Sequence, residues 1–169
     1  YRSQDRYNLA LGKSAVSTST YVGANGEVFP AANLTDGRIN DTGFPGNWSF
    51  WLASDDEPVG EITIDLEEEQ FIDCLQLLNT QNRHHRDRGT KAFTLLTSID
   101  GKKYGAAVSG ELRKLETTLT SDGLPPAEAF SFPAHPARYL KLKIHSFHRA
   151  INSSTSAGLN DKTEVNKKL

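Results

Sequence analysis

The stretch Val59-Gly60-Glu61-Ile62-Thr63-Ile64-Asp65-Leu66 alternates apolar and polar side chains at the two-residue period of a β-strand, with Ile62, Ile64 and Leu66 on one face. Such a face needs a core to cover it. Downstream, the polar run Glu67-Glu68-Glu69-Gln70 reads as a turn, and Phe71-Ile72-Asp73-Cys74-Leu75-Gln76-Leu77-Leu78 as a second strand, too short and too apolar for a surface helix. Residues 79–91, polar and crowded with Arg and His, read as a loop. Strand character resumes at Phe93-Thr94-Leu95-Leu96-Thr97-Ser98 and ends in the turn pair Asp100-Gly101. Arg138-Tyr139-Leu140-Lys141-Leu142-Lys143-Ile144-His145 alternates again, with Leu140, Leu142 and Ile144 inward and Lys141 and Lys143 outward.

Helical signal is thin. The best window, residues 110–116, spans two turns and lacks a clear N-cap. Several strands separated by long loops, with few helices between them, argue for antiparallel sheets rather than βαβ units, hence a sandwich or jelly roll whose end loops carry the binding residues.

The chain has 169 residues, the length of one domain, and no internal repeat or Gly/Ser linker divides it, so residues 1–169 are expected to form a single unit with its core at about 8–165. Nineteen basic residues against twenty-one acidic ones give a net charge of −2, which argues against nucleic acid as a partner. No apolar run reaches the ~18 residues of a membrane span, and the first residues lack the pattern of a signal peptide; a soluble, processed or excised chain is expected. The lone cysteine, Cys74, is expected to be buried; it excludes an intrachain disulfide and any zinc site built on paired cysteines.

Three separated segments carry a resemblance: Asn8-Leu9-Ala10-Leu11-Gly12-Lys13 with Ser17-Thr18-Ser19; Ala32-Asn33-Leu34-Thr35-Asp36-Gly37 followed by Trp48 and Trp51; and Asp87-Arg88-Gly89-Thr90-Lys91-Ala92-Phe93 followed by Ser98-Ile99-Asp100-Gly101. A closing segment runs from Arg138-Tyr139-Leu140-Lys141-Leu142 to Gly158-Leu159-Asn160. In this order they resemble the discoidin or coagulation factor 5/8 C-type domains and the related family 32-type carbohydrate-binding modules. The resemblance implies an all-β, antiparallel eight-stranded jelly-roll sandwich of the galactose-binding-like type.

Between glycines, residues 33–42 place Asp36 and Asp41 among Asn33, Asn40 and Thr42, an oxygen-rich composition that suits calcium, although Asp36-Gly37 also reads as a simple turn. The resemblance implies a structural calcium held by the Asn33 carbonyl, the Asp36 carboxylate, the Arg38 carbonyl and an oxygen of Asp41 or Thr42. An acidic residue from the C-terminal end completes that set, Asp161 or its rival Glu164.

A second candidate site is the loop with Arg83, His84, His85, Arg86 and Arg88. Sugar hydroxyls need fixed donors and acceptors beside an aromatic face, which these side chains and Trp48 supply. The resemblance implies a ligand of galactose or fucose type. It also offers a structural role for Arg88, tying the loop to the sandwich, while Trp51 matches a core position and Trp48 is the better stacking residue.

Catalysis finds no support in the sequence. His145 and His148, three apart on a strand, point to opposite faces, adjacent His84 and His85 diverge, and no nucleophile elbow, phosphate loop or paired carboxylates are visible. Four glycosylation sequons, at Asn33, Asn40, Asn47 and Asn152, favour an extracellular setting. The expected function is therefore a non-catalytic extracellular module that binds a glycan or glycoprotein, free-standing or as part of a larger enzyme or receptor. The alternative is a protein-binding adhesion module in which residues 83–88 meet an acidic partner. Membrane binding through tips such as Val28-Phe29 or Phe44-Pro45 ranks last, since coagulation-type relatives pair such spikes with a disulfide that is missing here.

Overall fold

The computed structural model describes residues 7–39, 48–115 and 127–150, with the side chain of His84 outside that set. Among them are five strands: β1 (Ser14–Ser17), β2 (Glu61–Leu77), β3 (Ala92–Ser98), β4 (Gly105–Glu111) and β5 (Glu128–Ile144). All pair antiparallel in the order β1-β2-β5-β3-β4. Among the described residues helix is confined to two single 3-10 turns, Ala31–Leu34 and Arg83–His85. The all-β class expected from the alternating pattern is the class observed; among the described residues five strands stand where eight were expected.

Three local readings are corrected. Residues 67–70 are not a turn between two strands, because β2 runs through them. The pairing advances from Asp65↔Tyr139 to Gln70↔Ala137, five residues on β2 against two on β5, so the polar run is a bulge. Glu67 takes a positive φ of 73° there, and its N–H donates to Asp65 Oδ1 (2.8 Å). The expected strand at 138–145 is only the second half of β5, whose first half contains Pro133 and Pro136. A second irregularity, between the pairs Ile72↔His135 and Cys74↔Ser131, places Pro133 where β5 carries extra residues and no ladder donor is required. Finally, Gly110 and Glu111 close β4 rather than start a helix. A side chain at Gly110 would collide with the Phe130 ring, and Leu112 is buried in the core instead of facing a helix groove. The Asp100-Gly101 turn is as expected, with Gly101 at φ 71° and the N–H groups of Lys102 and Lys103 on Asp100 Oδ1 (2.8 and 2.9 Å).

A two-layered arrangement follows from one ring contact. Phe130 and Ile144 lie fourteen residues apart on β5, which in a straight strand would separate them by about 46 Å. Yet Ile144 pairs with Phe93, and the Phe130 ring stands edge-on to the Phe93 ring at 4.9 Å. The β2/β5 ribbon therefore doubles back at its bulges. Residues 61–65 and 139–144, with β1, β3 and β4, form one layer; residues 70–77 and 128–136 form the other.

Ile62, Phe93, Leu112 and Ile144 pack between the layers against Leu75, Leu77 and Phe130. Leu66, Ile72 and Ala137 fill the crease, where Arg138 donates to both oxygens of Asp65 (2.9 Å each). This doubling gives the sandwich a crease end and an open end. Both termini of the ribbon, the start of β3 and the end of β4 meet at the open end.

Candidate functional site at the open end

The loop joining β2 to β3 crosses the open end in an unusual backbone. Asn82, Arg83, Arg86 and Arg88 have φ of 51°, 62°, 55° and 60°, left-handed values that Asn tolerates and that cost a long side chain roughly 1 kcal/mol or more each. Such strain persists only where surroundings over-determine it. The bracing is visible in two buried asparagines. Asn79 donates to the carbonyls of Thr90 and Arg113 (2.9 Å each) and accepts from Thr80 N (3.0 Å). Asn82 donates to Asp87 Oδ1 (2.7 Å), while its own Oδ1 accepts from Arg83 Nε and Nη2 (3.3 and 3.2 Å). At Gly89 a Cβ would fall on the Thr80 carbonyl, so only glycine fits.

Arg83 and Arg88 are turned inward. The Arg83 side chain is 17% exposed, with its guanidinium 5.1 Å from the Phe29 ring and 5.6 Å from the Trp48 ring, and with Nη1 3.5 Å from Glu27 Oε2. Glu27 also accepts from the Trp48 indole N–H (2.9 Å) and from Asn25 Nδ2 (3.1 Å), so one carboxylate gathers an arginine, a tryptophan and an asparagine. Arg88 lies 4.6 Å over the Tyr21 ring and pairs with Asp55 (2.7 Å), and its buried Nη1 has no hydrogen-bond partner among the described residues. Arg88 thus fastens the loop to the segment after Trp51. Among the described side chains of residues 82–88, His85 and Arg86 are the exposed ones.

The structure brings Arg83, Arg88 and Trp48 into one cluster with Phe29 and Glu27. Trp48 is half-buried, and its main-chain carbonyl, like that of Phe50, accepts from Asn33 Nδ2 (3.3 and 2.9 Å). Trp51 packs in the core and donates to Ser19 O (2.9 Å), as its match to a core position implies. Phe29, read as the tip of a membrane spike, is fully buried and forms the floor of the cluster; Val28 beside it is exposed. Cys74 is half-buried rather than buried. His145 and His148 do not converge: His145 Nε2 meets Thr94 Oγ1 and His148 Nε2 donates to Leu112 O (2.9 Å each). Nothing in the sequence pattern singled out Glu27, Tyr21 or Asp55. Their partners Trp48, Arg83 and Arg88 lie 21 to 67 residues away, and only the fold brings them together.

Of the expected calcium ligands, Asn33, Asp36 and Arg38 are described, while Asp41, Thr42, Asp161 and Glu164 lie outside the described residues. Asp36 is exposed and its Oδ1 accepts from Arg38 N (2.7 Å), closing a turn with Gly37 at φ 73°. That is the donor type calcium uses, although the described residues hold no cluster of three acidic, His or Cys side chains. With both of its bonds spent on carbonyls, the Asn33 amide nitrogen is closed to a glycan in this fold; the sequons at Asn40, Asn47 and Asn152 lie outside the described residues.

Solved structures share this fold. The module CpGH89CBM32-5 from Clostridium perfringens, in complex with GalNAc-β-1,3-galactose, superposes with a TM-score of 0.59 at 17% identity over 80% of this chain and 88% of its own. Chitosan-binding module 1 of a chitosanase/glucanase from Paenibacillus sp. IK-5 gives 0.53 at 19% identity over 85% and 87%. The C-terminal domain of a chitobiase from Bacteroides fragilis gives 0.55 at 22% over 78% and 80%. No curated protein sequence matches the chain. The family model for the F5/8 type C domain matches residues 14–159, which together with the doubled ribbon identifies the chain as a member of the F5/8 type C domain family.

Proposed function

We propose that this chain is a non-catalytic recognition module that binds glycans of galactose or fucose type through its open end, in an extracellular setting. The observation that carries the reading is the braced, left-handed loop at residues 82–88. It holds His85 and Arg86 toward solvent, on a loop whose Arg83 lies over the Trp48 ring, at a cost in backbone strain. An imidazole donates to or accepts from hydroxyls and a guanidinium donates to them, while an aromatic ring meets the apolar face of a sugar ring. Arg83 is the prop of this arrangement, fixing Trp48 and Asn82 from below. The kinship of the fold with modules solved on GalNAc-β-1,3-galactose and named for chitosan supports a glycan ligand.

Glycan-array binding tests the reading. Signal on galactose- or fucose-bearing glycans that falls at least tenfold in Arg86→Ala and in Trp48→Ala supports it; a silent array with the folded module overturns it. A structural calcium belongs to the same proposal, with Asp36 supplying the described carboxylate. Chelation should lower the Tm by several degrees, and Asp36→Ala should remove that response; a Tm indifferent to chelator in both proteins discards the metal.

A further inference from the structure

Three segments distant in sequence are knitted together on the flank of the open end. Arg88 N donates to His148 O (2.8 Å), His148 N to Gly89 O (2.7 Å) and Lys91 N to Ser146 O (2.8 Å), joining the loop to the residues after β5. Leu112 N donates to Lys91 O (2.8 Å), His148 Nε2 to Leu112 O, and the Lys114 ammonium to the Arg149 carbonyl, joining both to the residues after β4. Residues 79–91, 112–115 and 145–150 together carry seven Arg and Lys against a single acid, Asp87, in a chain whose net charge is −2. Carboxylates from other elements meet three of the seven: Glu27 meets Arg83, Asp55 meets Arg88 and Glu128 meets Arg113. Lys91, Lys114 and Arg149 form no ion pair among the described residues. Thr80, Arg86, Asp87, Lys114 and His148 come together here around a slight surface depression.

We infer that the glycan recognised at the open end is anionic, bearing carboxylate or sulfate groups that lie along this flank against Lys114 and Arg149. The inference rests on the carbohydrate-binding reading above and adds the charge class of the ligand. The two kinds of arginine in the site have separate tasks. Arg83 and Arg88 are neutralised in place, so their charge is spent on holding the loop. Lys114 spends a donor on the Arg149 carbonyl and Arg149 lies over the Phe147 ring, but neither meets a carboxylate among the described residues, so their charge is left to act outward. A local excess of fixed cations raises the concentration of an anionic ligand and orients it, and it offers a neutral sugar nothing.

The test compares oligosaccharides of equal length by calorimetry: a neutral galactan, an oligogalacturonate and a sulfated galactan, each at about 50 mM and about 500 mM salt. Either acidic ligand should bind about tenfold more tightly than the neutral one at low salt, with the preference shrinking at high salt. The uronate and sulfate arms decide which group is read. The double variant Lys114→Ala/Arg149→Ala, with its fold checked by its Tm, should lose that preference and keep the neutral affinity. Equal binding of neutral and acidic ligands, or an unchanged preference in the variant, overturns the inference and leaves the carbohydrate module standing. Binding of duplex DNA as tightly as the acidic sugars reduces the patch to a general polyanion surface and also overturns it. No binding of any sugar removes both readings.

Discussion

The two ends of the sandwich solve the same problem, reversing the chain, with opposite chemistry. At the crease end the turn at Asp100 is held locally and the bulge is held both locally and across the ribbon. Asp100 accepts from Lys102 and Lys103 N–H groups and from the Ser98 hydroxyl, all within three residues, and those bonds, the Lys103 N–H first among them, hold its carboxyl below the usual range. Asp65 ties the bulge to its neighbour Glu67 and to Arg138 across the ribbon. At the open end the reversal is held by partners far away in sequence, and four non-glycine residues sit in left-handed backbone. The contrast teaches where function resides: the crease end holds one long side chain, Glu67, in left-handed backbone, whereas the open end holds three, Arg83, Arg86 and Arg88, and braces them.

The contrast breaks most severely if the layers lose their common wedge. Phe93→Ala removes the ring that Phe130 and Ile144 share and should cost about 3–5 kcal/mol in denaturant unfolding, loosening both ends together. Gly89→Ala should strike the open end alone. A methyl on the Thr80 carbonyl forces the brace apart at about 1–3 kcal/mol, with glycan binding lost while the amides of the crease keep their protection in hydrogen exchange. Arg86→Gly sharpens the comparison by removing left-handed strain from an exposed residue. It should raise stability by about 0.5 kcal/mol, after the entropic cost of glycine, while weakening binding.

The smallest effect belongs to the crease. The hydrogen bonds from Arg138, aided by the Glu67 N–H, hold Asp65 down from its ordinary 3.8 to about 2. A depressed carboxylate contributes its stability above pH 3.8 and loses it as pH falls toward 2, so the Tm should decline over that window. Asp65→Asn should flatten this part of the profile by only a degree or so, because the pair is open to solvent.

What the sequence disclosed follows the same division. Ile62, Ile64 and Leu66, the alternation ending at Ile144, and Asp100-Gly101 are local signals, and each appears in the structure where the pattern puts it. The run of residues 67–70 misleads because a bulge and a turn call for the same polar composition. The prolines at 133 and 136 conceal half of β5, since proline speaks against a strand unless an irregularity of the ladder receives it. At the open end the sequence indicates a loop rich in Arg and His. It gives no sign that Arg83 turns inward onto Phe29, because that contact joins residues 54 positions apart and depends on how the ribbon doubles. Glu27 is invisible for the same reason.

The doubled ribbon has one consequence for how this module can be cut and rejoined. Since β2 and β5 each thread both layers, opening the chain within either would divide both sheets at once, and neither fragment would keep a complete face. New termini placed between Lys102 and Lys103, in the exposed β3–β4 turn at the crease, would interrupt no strand and leave the open end untouched. The crease is therefore the natural seam for fusing this module to a reporter or a second copy, with the loop at residues 79–91 at the opposite end from the join.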